Sequence, residues 1–63
     1  MFYKYVVSYP NGTQLSGYAE SEESMPAVKR RLTSYFFGRF NLAVEEYGED
    51  FPKVNSDYIM TIK

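Results

Sequence analysis

Lys29, Arg30 and Arg31 stand in a row near the middle of this 63-residue chain, and Arg39 follows shortly after. Residues 25–39 hold these four cations and no acid, whereas the other three lysines and all eight acids lie outside that window. Such a run supports two chemistries: contact with phosphates, or docking on an acidic protein surface. The alternative is a solvated helix face whose cations pair with acids elsewhere in the chain. The acids gather at Glu20, Glu22 and Glu23, and again at Glu45, Glu46, Glu49 and Asp50. Clustered carboxylates can hold a hard cation such as Ca²⁺, but this stretch lacks the D-x-[DN]-x-[DN]-G spacing of a calcium loop and reads as a solvated segment. Carboxylate pairs can also act as acid and base, yet neighbours on a strand point to opposite faces. With no His and no Cys, the chain has no ordinary general base near neutral pH and no thiolate nucleophile. It also lacks the ligands of structural zinc and the thiols of a disulfide. The sequence therefore predicts no catalytic residues, no cofactor, no metal and no small-molecule substrate.

Phe37 is the second chemistry-bearing residue. A helix carrying Met25, Val28, Leu32, Tyr35 and Phe36 as one apolar stripe puts Arg30, Arg31 and Ser34 on the opposite side. Phe37 then lies about 100° from the stripe centre and is left partly exposed. An exposed Phe near arginines resembles an interface anchor with a charged rim. Arg30, Arg31, Phe37 and Arg39 are thus the candidate partner-binding residues. A competing possibility is that Phe37 folds over the loop after Tyr47 and closes the core. Nucleic-acid binding by Lys29, Arg30, Arg31 and Arg39 is the second functional reading. The net charge of −1 supplies no basic field to support it.

The elements that must position these residues begin with a hairpin. Phe2 to Tyr9 is rich in Tyr and Val, and Thr13 to Ala19 follows Pro10-Asn11-Gly12. A type I′ turn on Asn11-Gly12 would pair Tyr5 with Tyr18 and mix polar and apolar residues on both faces. A type I turn on Tyr9–Gly12, with Gly12 left-handed as a bulge, pairs Tyr9 with Thr13 and Tyr5 with Gly17. Because a one-residue slip flips a strand, only the bulged register gathers Tyr3, Tyr5, Val7, Leu15, Gly17 and Ala19 on one face. It is the register expected here, and it leaves Phe2, Lys4 and Tyr18 on the other face. Tyrosine-rich sheets can stack single-stranded nucleic acid, but this register sends Tyr3, Tyr5 and Tyr9 into the core.

The helix is expected over about residues 25–37. Ser24 is the expected N-cap and Pro26 falls in the first turn, where its missing N–H does little harm. A cap at Ser21 would drive Pro26 deeper, at the cost of a backbone hydrogen bond. Gly38 suits a helix stop. Beyond it, Phe40, Leu42 and Val44 alternate with polar or small residues and predict a strand over about 40–46, although Asn41 could cap a short helix instead. Residues 47–56 read as a loop, and 57–63 as a last strand alternating Tyr58, Met60 and Ile62.

The expected architecture is a single α+β domain, 1–63: two-layer β-β-α-β-β, an antiparallel sheet with one helix packed across one face. Its predicted core is Tyr3, Tyr5, Val7, Leu15, Gly17, Ala19, Val28, Leu32, Phe36, Leu42, Val44 and alternate residues of the last strand. Seven Tyr and five Phe can build a core in so short a chain, since each buries roughly 150–250 Å². With no export signal, no cysteine and no apolar run near the ~20 residues that span a bilayer, a cytoplasmic location without membrane contact is expected. In size and pattern the chain resembles very short phage and prophage accessory proteins. That resemblance rests on no motif and implies only docking onto a larger host or viral protein. The functional expectation is a small binding module acting through protein–protein contacts or self-association, on the Arg30/Phe37/Arg39 side of the helix or on a free sheet edge.

Overall fold

The computed structural model describes residues 1–62. Strands β1 (Phe2–Ser8) and β2 (Gln14–Glu20) form the hairpin, helix α1 (Met25–Tyr35) follows, and β3 (Asn41–Gly48) comes next. A 3₁₀ turn (Ser56–Tyr58) then leads into β4 (Ile59–Thr61). The strands lie in the order β3-β1-β2-β4.

The hairpin takes the bulged register. Tyr5 stands opposite Gly17 and Val7 opposite Leu15. The Gly12 N–H donates to the Tyr9 carbonyl at 3.0 Å, and the Tyr9 N–H donates to the Thr13 carbonyl at 2.8 Å. Gly12 sits at φ +90°, a conformation open to glycine at little cost. The Asn11 side chain tightens the turn by accepting from the Thr13 N–H at 2.9 Å.

Helix α1 packs on the face that carries Tyr3, Tyr5 and Val7, over the β1–β3 side of the sheet. Val28 and Leu32 are its fully buried residues and join Tyr3, Tyr5, Val7, Ala19 and Ile62 in the core. Ser24 occupies the N-cap position with Pro26 in the first turn, but its side chain makes no capping bond. The lead-in is held instead by Ser21, which is buried and accepts from the Glu23 N–H at 3.0 Å. The Tyr3 hydroxyl adds a bond to the Glu23 carbonyl at 2.7 Å.

Five expectations need correction. The sheet is mixed rather than antiparallel, because β4 runs parallel to β2. The element order also gains a 3₁₀ turn before the last strand. Both follow from topology: β3 and β4 lie on opposite edges, so residues 49–58 must cross the whole sheet. They cross the face away from the helix and climb as they go, arriving beside Tyr18 and then descending alongside β2. That crossing explains a second correction. Phe2, expected on an open face, is buried under this segment, its ring 5.4 Å from that of Phe51 in an edge contact.

Third, the helix ends at Tyr35 rather than Phe37. Phe36 adopts an extended conformation, which turns its ring onto Tyr5 at 5.8 Å and Phe40 at 6.1 Å. Gly38, at φ +88°, therefore sits in the connection rather than at the helix cap. Fourth, Leu15 is 45% exposed, because the helix covers β1 and β3 and leaves this end of β2 bare. Tyr35 of the apolar stripe is 60% exposed for the same reason. Fifth, the strand boundaries move: residues 41–48 replace the expected 40–46, with an irregularity opposite Phe2 and Tyr3. The last strand is confined to Ile59–Thr61, and the end of the expected 57–63 element at Lys63 lies outside the described residues.

Candidate interaction surface

Arg30 and Arg31 lie exposed on the solvent side of α1, lining a shallow groove with Glu23, Ala27 and Ser34. The two arginines are not equivalent. The Arg31 guanidinium forms an ion pair with the Glu23 carboxylate, with Nη2 donating to Oε1 at 2.8 Å and Nε lying 2.7 Å from Oε2. A charge-assisted hydrogen bond of this kind is stronger than a neutral one, so Arg31 is occupied by the helix lead-in. Arg30 and Lys29 project to solvent; the backbone carbonyls of both accept from Ser34 and Thr33 hydroxyls one turn on.

Phe37 and Arg39 occupy the short connection between α1 and β3. Phe37 is 87% exposed, the most exposed large hydrophobic residue described. It does not fold onto the segment after Tyr47, which lies against the other face of the sheet. Its neighbours in sequence behave differently: Phe36 and Phe40 turn inward, and the Phe40 ring meets Tyr9 at 6.0 Å. The four candidate residues therefore divide into two places. Arg30 and Arg31 share the helix groove, and Phe37 and Arg39 share the helix exit.

A second apolar patch was not legible in the sequence. Tyr35 and Tyr58, 60% and 72% exposed, flank a groove floored by Tyr5, Ser16 and Met60. Period-of-two and period-of-three-and-a-half patterns place both tyrosines inside, and only the crossing of residues 49–58 brings them to one rim. On the far face Tyr18 and Tyr47 meet edge-on at 5.2 Å. Val54 and Tyr58 approach Lys4 and Tyr18 there, so this face is not an open stacking platform.

The acids of residues 45–50 diverge. Glu45 stands opposite Lys4 on the crossed face and Glu46 opposite Tyr3 on the helix side. Glu49 lies 3.5 Å from the Met1 ammonium. Among the described residues no three acidic side chains converge in a way that could hold a metal ion. Burial pushes the Tyr3 hydroxyl pKa up, and the nearby carboxylates of Glu46 and Glu49 push it the same way. Tyr5 is raised as well, by burial first and then by Tyr35. Both phenols are structural: one bonds Glu23 and the other packs over Gly17. Among the described residues no helix is long and apolar enough to cross a membrane.

No protein-family description matches the chain, and no curated protein or solved structure matches it either.

Proposed function

We propose that this chain is a non-enzymatic protein-binding module that docks on a larger partner protein through the exit of its helix, with Phe37 as anchor and Arg39 as charged rim. One observation carries the reading: a phenylalanine ring 87% exposed in a connection whose other two phenylalanines are both turned inward. Burying that ring against a partner recovers on the order of 2 kcal/mol, a gain that the isolated chain forgoes. Aromatic and arginine side chains are the types enriched at energetic centres of interfaces. Arg30 and Arg31 line a separate groove on the helix with Glu23, where Arg31 is paired with that carboxylate, so neither belongs to the docking surface at the helix exit. An accessory role on a larger machine, as an inhibitor or adaptor, agrees with the small size and the pattern shared with short phage accessory proteins.

Phosphate contact by Lys29, Arg30, Arg31 and Arg39 is the competing chemistry, and salt dependence separates the two. The immobilised chain is expected to retain a protein from its host's lysate, and Phe37→Ser to lose it by tenfold or more while remaining folded. Binding that falls linearly with log salt and survives Phe37→Ser would assign the surface to nucleic acid instead.

A further inference from the structure

We propose that the outer edge of β3 pairs antiparallel with the same edge of a second copy of this chain, about a two-fold axis through Val44, continuing the sheet from four strands to eight. This interface uses the sheet edge and not Phe37, so it goes beyond the docking surface above and stands or fails separately from it.

β3 lies at one end of the strand order and is hydrogen-bonded only to β1. It is eight residues long, whereas β4 at the other edge has three. Every second residue of β3 therefore turns its backbone N–H and C=O away from the sheet, a template for a further strand. Small chains without disulfides or metals commonly gain stability by association, and like edges meeting across a two-fold axis give a closed, self-limiting dimer.

The charges along β3 select the partner, and charge with ladder length selects the register. Arg39 precedes the strand, while Glu45 and Glu46 lie in its second half and Glu49 and Asp50 just beyond. A strand positive at its start and negative at its end complements a copy of itself only when the copy runs antiparallel. Residues that face each other across such a ladder share the same orientation, so the axis must pass through a residue rather than between two. An axis on Glu45 or Glu46 sets that carboxylate against its own copy, which is destabilising. An axis on Ala43 keeps acids apart but pairs only residues 41–45 of β3, whereas one on Val44 pairs residues 41–47. An axis on Val44 opposes Leu42 to Glu46 and Ala43 to Glu45, with no acid facing an acid. It also brings Arg39, five residues before the axis, across from Glu49, five residues after it. The irregularity near Tyr47 shifts that partner by at most one residue, to Asp50, which is also an acid. Arg39 and Glu49 are both exposed, and the only ion pair of Glu49 among the described residues is the 3.5 Å contact with the Met1 ammonium.

The test is sedimentation equilibrium of the full chain over a range of concentrations, with charge reversals at the two surface positions. The wild type is expected to pass from monomer to dimer as concentration rises. Arg39→Glu and Glu49→Arg, each placing two like-charge contacts in the dimer, are each expected to weaken it roughly tenfold or more. The double reversal is expected to restore it to within about threefold. Phe37→Ser should leave it unchanged. Hydrogen exchange should show the slowed amides of the dimer on β3. A monomer at every concentration would mean that Glu45 and Glu46 guard the edge, and the proposal would be wrong. A dimer indifferent to both reversals, or one abolished by Phe37→Ser, would equally sink it. The last result would move self-association to the helix exit and leave the docking reading intact.

Discussion

The ring of Tyr5 on β1 lies over Gly17 on β2, so that a Cβ placed on Gly17 would stand 2.6 Å from the tyrosine hydroxyl oxygen and 2.8 Å from Cζ. The two residues are direct cross-strand partners. The side chain missing from Gly17 is the space that Tyr5 fills, where α1 does not reach over β2.

Gly17→Ala is therefore expected to destabilise the chain by about 1–3 kcal/mol, the usual cost of overpacking. The ring cannot retreat freely, because Phe36 lies 5.8 Å away on the helix side. Adding Tyr5→Leu should relieve the clash, so the two substitutions together should cost less than the sum of their separate effects. Denaturant melts of the four chains test this; additive effects would show that ring and glycine do not share one space.

Leu32 is fully buried beside Val28 and Val7. Leu32→Ala should cost about 2–5 kcal/mol, since the surrounding strands cannot collapse into the void. For a chain of this length that is a large share of total stability. A thermal melt within a degree or two of wild type would show that the helix is anchored elsewhere.

Phe36 and Phe37 should respond in opposite ways. Phe37→Ser is expected to change stability by no more than about 0.5 kcal/mol, as for other exposed positions. Phe36→Ser, which removes a ring packed against Tyr5 and Phe40, should cost about 2 kcal/mol or more. If both variants melted alike, the helix exit would not have the geometry described.

Tyr3 links stability to alkaline pH. Burial, Glu46 and Glu49 raise its pKa above the usual tyrosine value of about 10. The folded state therefore holds the phenolic proton more tightly than the unfolded state. Its stabilising share is complete below about pH 10 and is lost as pH rises toward the raised folded pKa. Tyr3→Phe should be less stable at neutral pH by about 1 kcal/mol, having lost the 2.7 Å bond to the Glu23 carbonyl. It should also decline less steeply above pH 10, with Tyr5 supplying the remaining slope. Melts across the alkaline range, paired with ultraviolet titration of tyrosinate, test both halves. Parallel pH profiles for the two chains would mean that Tyr3 does not titrate abnormally.

The hairpin register was legible in the sequence because every constraint on it is local. Pro10, Asn11 and Gly12 allow two turns, and the alternation of apolar residues along the two flanking strands selects the one that sets Tyr5 opposite Gly17. The buried stripe through Val28 and Leu32 and the strand that follows the helix came from residue spacing in the same way. Phe37, by contrast, is exposed in a connection beyond the helix end at Tyr35 and not at the helical position that spacing assigned it. What spacing does not carry is direction and neighbourhood. Tyr58, Met60 and Ile62 alternate identically whether their strand runs parallel or antiparallel to its neighbour. The placement of β3 and β4 on opposite edges makes residues 49–58 cross the sheet and bury Phe2, and the point where that crossing arrives, beside Tyr18, sets β4 parallel to β2. The helix end is a tertiary choice too. Phe36 leaves the helix because Tyr5 and Phe40 offer its ring a better contact than another helical turn, and Leu15 stays bare because α1 settles over β1 and β3. For the candidate surface, the sequence determined that Lys29, Arg30, Arg31 and Arg39 lie outside the core, but not which aromatics join them, since Tyr35 and Tyr58 are exposed and Phe2 is buried. The tertiary structure decided which of them remain unengaged: it closed Arg31 onto Glu23, eight residues earlier in the chain, and left Phe37 with nothing to cover it.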